Sequence, residues 1–198
     1  MPNHQRAIEI FFDYVSPFPY LLNEYLIKHE VERRYELEVQ WTPIFLGSLY
    51  PTNNHTPLNA TDPRRARYSA IEAKRYAAEL DVPVTGNLFR PVPVLRAGIA
   101  AARQGRFREF HTELYRRIQG RGEQPTDALL GDTIERVGGN AATLTAAMAA
   151  PDVKQELIDN AERAKQLDVF GVPFVFHDGE AFWGFSHFRY LLAKLDAA

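Results

Sequence analysis

The order in which strand and helix patterns follow one another is the feature that most constrains this fold. Segment 7–12 is rich in β-branched and aromatic residues and predicts a strand, and Ser16 followed by Pro17 is a typical helix start. Alternation over 35–41 predicts a second strand, which completes a strand–helix–strand unit. From 62 to 167 the pattern is almost wholly helical, so the chain leaves this unit for a long helical segment.

The strand pattern returns near the end of the chain. Segments 172–177 and 180–183 read as two strands joined by the two-residue turn Asp178-Gly179, and Ser186 is expected to cap a last helix. Neither terminal part has enough strands to bury a sheet by itself, so the two parts must share one sheet. This order predicts an α/β, thioredoxin-like fold (βαβ … ββα) that is interrupted by a large all-helical insertion.

The same order predicts two domains. Residues 1–60 and 168–198 would form a discontinuous thioredoxin-like domain, and residues 61–167 would form the helical insertion domain. Apolar residues in the insertion recur at helical spacing, which favours buried faces over a cofactor-binding motif. Two such predicted faces are Tyr68, Ile71, Tyr76 and Leu80, and Phe107, Phe110, Leu114 and Ile118.

Composition excludes several classes of chemistry. The 198 residues include no cysteine, which excludes disulfides, Cys-x-x-Cys redox chemistry, a cysteine nucleophile and thiolate metal sites. The histidines lack metal-ligand spacing, so we expect no metal site. The net charge of −2 gives no general attraction for nucleic acid or an anionic membrane, and no apolar stretch is long enough for a membrane span. The start lacks a signal-peptide core, so we expect a soluble cytoplasmic protein that binds neither nucleic acid nor membrane.

One basic cluster needs a separate interpretation. Its arginines surround the apolar stripe of Phe107 and Phe110, which is typical of a solvated helix surface and not of a nucleic-acid face. The cluster consists of Arg103, Arg106, Arg108, Arg116, Arg117 and Arg121.

The helix start at Ser16 is the strongest candidate for chemistry. Of residues 17–19, the two prolines have no N–H group, so Phe18 offers the one free amide. An anion at this positive helix end would therefore depend on the Ser16 hydroxyl. This suits a thiolate better than a phosphate, which needs several amides. Because the chain has no cysteine, the thiol would arrive with a ligand. A capping serine without chemistry is the alternative, and a hydrolase triad is disfavoured because Ser16 lacks a Gly-x-Ser-x-Gly elbow.

The segment Gly171-Val172-Pro173 is the second candidate. Most X-Pro bonds are trans, and a trans proline that opens an edge strand is one interpretation. The other is that the backbone of Val172 pairs with an extended, peptide-like ligand beside the helix start.

Residues 11–21 and 168–174 together resemble the DsbA-like thioredoxin superfamily. The resemblance is narrower to its branch of 2-hydroxychromene-2-carboxylate isomerase and kappa-class glutathione transferase, in which serine replaces the redox cysteine. The run Asp178-Gly179-Glu180-Ala181-Phe182-Trp183-Gly184 also matches that branch. Several positions depart from its pattern: Pro19 replaces a serine, Ser186 stands where an acidic residue is usual, and Ser48 follows Gly47 where the isomerases often have a lysine.

The resemblance implies a glutathione site. Ser16 would hydrogen-bond the glutathione thiol and favour its thiolate, and Val172, ahead of a cis Pro173, would pair with the cysteine of glutathione. Asn54 would lie over the thiol. The γ-glutamyl end would be bound after Gly184, which completes the expected binding set of Ser16, Asn54, Val172, Pro173, Phe185 and Ser186.

The leading hypothesis is a glutathione-dependent isomerase of the 2-hydroxychromene-2-carboxylate type, in which Ser16 is the catalytic residue. Its partners would be glutathione, a small aromatic carboxylate and a second copy in a homodimer. A kappa-class-like glutathione transferase is one alternative. A binding protein that has lost the thiol chemistry is another, whereas a disulfide oxidoreductase is excluded by the absence of cysteine.

Overall fold

A computed structural model describes residues 6–50 and 62–197, so Asn54 lies outside the described residues. The described strands form one mixed sheet in the order β2-β1-β3-β4. β1 and β2 run parallel, whereas β3 is antiparallel to both β1 and β4. The strands are β1 (Arg6–Phe12), β2 (Leu37–Pro43), β3 (Phe174–His177) and β4 (Glu180–Trp183).

The helices divide between the two ends of the chain and its middle. The terminal ones are α1 (Pro17–Lys28), α2 (Val31–Arg34) and α9 (Phe188–Asp196). The middle ones are α3 (Pro63–Leu80), α4 (Pro91–Arg103), α5 (Phe107–Tyr115), α6 (Asp127–Arg136), α7 (Ala141–Ala149) and α8 (Pro151–Gln166). None of the helices in the described part is both long and apolar enough to cross a membrane.

The strand register brings the candidate residues to one edge of the sheet. Phe11 of β1 pairs with Phe174 of β3, and Phe174 in turn pairs with Trp183 of β4. The end of β1, the start of β3 and the end of β4 therefore lie side by side. We call this region, residues 13–16, 172–173 and 184–186, the Ser16 edge.

Apolar packing covers both faces of the sheet. On one face a large core joins β1 and α1 to the helical segment, with Phe12 and Tyr14 fully buried in it. A smaller cluster on the other face includes Phe11 and Ala164 of α8. The predicted α/β, thioredoxin-like fold with a helical insertion is confirmed. The division at residues 60/61 and 167/168 stays a prediction.

The predicted buried face of α3 is wrong in part. Tyr68 is 58% exposed and Ile71 is 49% exposed, whereas the residues of α3 that are buried are Ala73, Ala77 and Leu80. Small side chains allow α3 to approach its neighbour closely, so helix packing selected the alanine face and not the larger apolar residues. Ser186 also does not cap the last helix, because α9 begins at Phe188 with His187 as its N-cap.

Gly98 of α4 provides a test of how tightly the core fits the β1–α1 loop. A β-carbon at Gly98 would lie 2.9 Å from the hydroxyl oxygen of Tyr14, which is hydrogen-bonded to Nδ1 of His111 at 3.2 Å. We expect Gly98→Ala to destabilise the fold by about 1–3 kcal/mol, because overpacking outweighs the helix-propensity gain of alanine. Urea unfolding would measure the change.

Tyr14→Phe supplies the control for this prediction, because it removes the atom that clashes. The double variant should be more stable than the sum of the two single changes implies. Strict additivity would contradict the proposed contact.

Candidate functional site

Ser16 begins α1, and its hydroxyl is not used by the fold. The residue is the N-cap with an extended backbone, yet its side chain makes no capping hydrogen bond, and within the described residues the half-buried hydroxyl makes none at all. The first turn of α1 carries a proline and no acidic residue. The hydroxyl therefore lies at the positive end of a helix and is available to a ligand. A serine that acts only as a helix cap is expected to accept a hydrogen bond from the first turn, and the Ser16 side chain accepts none.

A buried carboxylate fixes the backbone of Ser16. Oδ1 of Asp13 accepts a hydrogen bond from the Ser16 amide at 2.7 Å, and Asp13 is 6% exposed. Burial raises the pKa of Asp13 to about 6, although hydrogen bonds from the amides of Ser16 and Val15 work in the opposite direction. At the start of α1, the side-chain acceptor for a free backbone amide is therefore Asp13 and not the Ser16 hydroxyl.

Residues from the helical segment hold the loop between β1 and α1. The hydroxyl of Tyr115 donates to the carbonyl oxygen of Asp13 at 2.6 Å. Nε2 of Gln119 donates to the carbonyl oxygens of Tyr14 and Val15, each at 2.9 Å. Three consecutive carbonyl groups next to Ser16 are thus bound by side chains about a hundred positions further along the chain.

A turn of π-helix places Gln119. Residues Arg116–Gly120 follow α5 in this form, in which the Arg121 amide bonds to the Arg116 carbonyl. The carbonyl oxygen of Gln119 accepts from both the amide and the hydroxyl of Thr85, at 2.8 and 2.9 Å. π-helical turns are rare in proteins overall, but many of them occur at functional sites. Here the turn carries the side chain that holds the Ser16 loop.

The peptide bond between Val172 and Pro173 is cis. β3 lies between β1 and β4, so the interpretation of a trans proline opening an edge strand is wrong. The carbonyl oxygen of Pro173 accepts from the Gly184 amide at 2.9 Å. Within the described part of the chain, the peptide groups of Val172 itself make no hydrogen bond, so they are available to pair with an extended ligand at the Ser16 edge.

The turn after β4 packs against both α1 and α3. The ring of Phe185 lies 5.7 Å from that of Tyr25 and 4.5 Å from that of Tyr76, measured between centres. Ser186 lies in the same 3₁₀ turn, Phe185–His187, and is half-buried. The ring of Phe185 is thus part of the packing, and Ser186 presents the polar group of this turn.

The arginines of the basic cluster mostly have acidic partners. Arg116 pairs with Glu24, and Arg117 pairs with Glu123 and Asp132. The predicted interpretation as a solvated helix surface agrees with this pairing except at Arg117, which is buried at 9% exposure. Within the described residues, no three His, Cys, Asp or Glu side chains are grouped in a way that could hold a metal ion.

Sequence reasoning found the residues at the ends of the elements and missed those that support them. Asp13 left a signal, because a carboxylate interrupts the apolar run of β1 three residues before Ser16. The sequence contains no such indication for Tyr115 and Gln119, since their partners lie far away in the sequence. The binding roles expected for Ser16, Asn54, Val172, Pro173, Phe185 and Ser186 stay predictions.

The fold and this edge define a member of a known class. Residues 7–196 match the family described as the DSBA-like thioredoxin domain, so the chain belongs to that family. Among solved structures, it is similar to a 2-hydroxychromene-2-carboxylate isomerase with a TM-score of 0.87 and 20% identity, covering 96% of this chain and 95% of the other. At that identity the likeness shows the fold alone.

Sequence relatives confirm the branch that the motifs indicate. The chain is 29% identical to 2-hydroxychromene-2-carboxylate isomerase from Sphingobium xenophagum, over 96% of this chain and 98% of the relative. It is 26% identical to glutathione S-transferase kappa 1 from Homo sapiens, over 96% and 90% of the two chains. Both relatives are named as enzymes.

Asp13 leads to a prediction of pH-dependent stability. Its pKa is raised on folding, so its contribution is fully present below the unfolded value near 3.8 and is lost as the pH rises through about 6. Asp13→Asn removes this loss and keeps an oxygen that can accept from the Ser16 amide. We expect the variant to gain about 2–3 kcal/mol near pH 8 and little near pH 4, measured by urea unfolding.

Asp13→Ala is the matched control for the hydrogen bond. It also removes the charge but leaves the Ser16 amide without an acceptor, so it should be less stable than Asp13→Asn at both pH values. An equal effect of Asp13→Asn at the two pH values would contradict the assigned titration.

Proposed function

We propose that this protein is a glutathione-dependent isomerase that acts on small aromatic carboxylates of the 2-hydroxychromene-2-carboxylate type. The observation that carries the proposal is the unused Ser16 hydroxyl at the start of α1, in a chain without cysteine. The isomerase relative, which aligns over almost the whole of both chains, supports the reaction type.

The residues at the Ser16 edge fit glutathione. A tripeptide thiol needs a donor for its sulfur and peptide groups for its backbone, and the edge offers the Ser16 hydroxyl and the unpaired peptide groups of Val172. When bound, glutathione would supply the nucleophilic sulfur that the chain lacks.

Ser16 would act by stabilising negative charge. Its hydroxyl donates a hydrogen bond to the sulfur and, together with the positive end of α1, lowers the pKa of the bound thiol. Asp13 keeps the Ser16 backbone in place through the 2.7 Å bond to its amide. The ionised Asp13 also opposes a second negative charge nearby, so its protonation would favour the thiolate.

The remaining parts of the proposal concern binding and assembly. Val172, ahead of Pro173, would pair with the ligand backbone, Phe185 and Ser186 would bind its γ-glutamyl end, and Asn54 would contact the sulfur. We further propose a homodimer in the cytoplasm, on the resemblance to the branch, and sedimentation analysis would test the dimer.

A kappa-class-like transferase is the second candidate, and the similarity to the human kappa enzyme favours it. The two reactions share the thiolate site and differ in the electrophile. Conjugation of glutathione to chlorodinitrobenzene would support the transferase, whereas turnover of a hydroxychromene carboxylate with glutathione would support the isomerase. If neither assay shows activity, the remaining candidate is a ligand-binding protein that has lost the thiol chemistry.

Ser16→Ala tests the proposed role directly. Loss of a donor to a developing or stabilised anion typically costs about 10²–10³ in rate, so we expect a decrease of that order in kcat. The ultraviolet absorbance of the bound thiolate should decrease in parallel, which shows that the effect is on ionisation.

Thr145→Ala is a matched control, because it removes an exposed hydroxyl from α7, away from the Ser16 edge. It should leave both readouts unchanged. Full activity of Ser16→Ala, with an unchanged thiolate signal, would refute the role of Ser16.

A further inference from the structure

Three buried nitrogen atoms without a hydrogen-bond partner lie where α5 contacts Trp41 of β2. They are Nε1 of Trp41, Nη1 of Arg108 and Nε2 of His111, and no group in the described part of the chain bonds to any of them. His111 is fully buried and Trp41 is 7% exposed. Buried polar groups are almost always hydrogen-bonded, so three unpaired ones in one region of the core call for a physical explanation.

The side chains that carry these atoms are neighbours. The ring centres of Trp41 and His111 are 4.5 Å apart, and Cζ of Arg108 lies 6.0 Å from the ring centre of Trp41. Arg108 and His111 are three residues apart on α5, so they lie on the same face of that helix. A single small ligand between α5 and Trp41 would therefore be within reach of all three side chains.

The hydroxyl of Tyr14 decides which nitrogen of His111 carries the proton. Burial, followed by the charge of Arg108, lowers the pKa of His111, so the imidazole is neutral and has one N–H. The Tyr14 hydroxyl lies 3.2 Å from Nδ1, which is its one acceptor within the described residues. A proton on Nδ1 would leave the O–H of Tyr14 unsatisfied, so the proton is assigned to Nε2. With this assignment, all three unpaired nitrogens are donors.

Three donors that have no acceptor between them suit an anion better than a water molecule. A water molecule would bring two O–H groups of its own, and these would face the rings that surround His111, among them Phe12, Phe107 and Tyr115. A halide ion accepts from all three donors and has no proton to place. The positive charge of Arg108 offsets part of the cost of burying such an ion.

Arg108 connects this buried region to the surface. Its Nη2 pairs with Glu32 and its side chain is 36% exposed, whereas Nη1 is buried. Arg108 also lines two open concavities, of about 680 and 270 Å³, which share Ile27 as well. Movement of this one side chain would give a small ion a path from the surface, and the pair with Glu32 leaves Nη1 free for the ion.

We propose that Trp41, Arg108 and His111 form a buried binding site for one small monovalent anion of halide size, such as chloride. The aromatic rings packed around His111 favour a monatomic ion over a larger oxyanion such as sulfate. None of the three residues belongs to the Ser16 edge, so the inference is independent of the proposed function.

Thermal unfolding of the full chain tests the site, because an anion that binds only the folded state raises Tm. Sodium chloride would replace sodium gluconate at constant total salt, and gluconate is too large for the site. We expect this replacement to change Tm more favourably in the unmodified chain than in Arg108→Gln, by about 2–4 °C. General effects of the two salts are shared by both proteins, so the difference between them measures the site.

Two further variants separate the site from the surrounding surface. Trp41→Phe removes the indole N–H without changing any charge, and it should also reduce the response to chloride. Arg33→Gln is the matched control, because it removes a more exposed arginine that lines the smaller concavity and pairs with Glu30. It should respond to chloride as the unmodified chain does. Equal responses of the unmodified chain, Arg108→Gln and Trp41→Phe would overturn the inference.

A crystal grown with sodium bromide locates the ion directly, and it decides the question even if a variant fails to fold. Anomalous scattering should place one bromide within hydrogen-bond distance of Nε1 of Trp41, Nη1 of Arg108 and Nε2 of His111. No bromide at this position, or a water molecule there in its place, would contradict the inference and leave the proposed function untouched.

Discussion

The hydrogen bonds from Tyr115 and Gln119 to three consecutive carbonyl groups are the interactions on which the candidate site depends. They join the loop that carries Ser16 to the helical segment, across a gap of about a hundred residues. An unpaired buried carbonyl costs about 1–3 kcal/mol, so this loop conformation would be less stable without these hydrogen bonds. The helical segment is therefore part of the site and not an appendage to the sheet.

The electrostatics of the same loop combine two opposing influences. The start of α1 favours an anion at Ser16, whereas the carboxylate of Asp13, which holds the Ser16 amide, disfavours one. Because binding effects are reciprocal, an anion at Ser16 would raise the pKa of Asp13 beyond its value of about 6 in the free protein. Ionisation of a bound thiol and protonation of Asp13 are thus coupled, and pH should influence the two together.

The fold could be predicted because its signals are local. Strand patterns, the Ser16-Pro17 helix start and the turn at Asp178-Gly179 each specify one element, and both turn residues have the positive φ that such a turn requires. The face on which α3 packs could not be predicted, since it depends on the fit to α1, and Tyr68 is exposed for that reason. The contacts of Gln119 could not be predicted either, because only the folded chain brings that residue to the loop.

In the proposed reaction, a chain without cysteine takes its sulfur from a ligand, so the sulfur itself cannot distinguish one thiol ligand from another. The Ser16 hydroxyl would treat any thiolate alike, so discrimination between ligands would have to come from groups that contact the rest of the ligand. The free peptide groups of Val172 would favour a ligand with an extended backbone. Binding energy gained at such distant groups can be used to position the reacting sulfur.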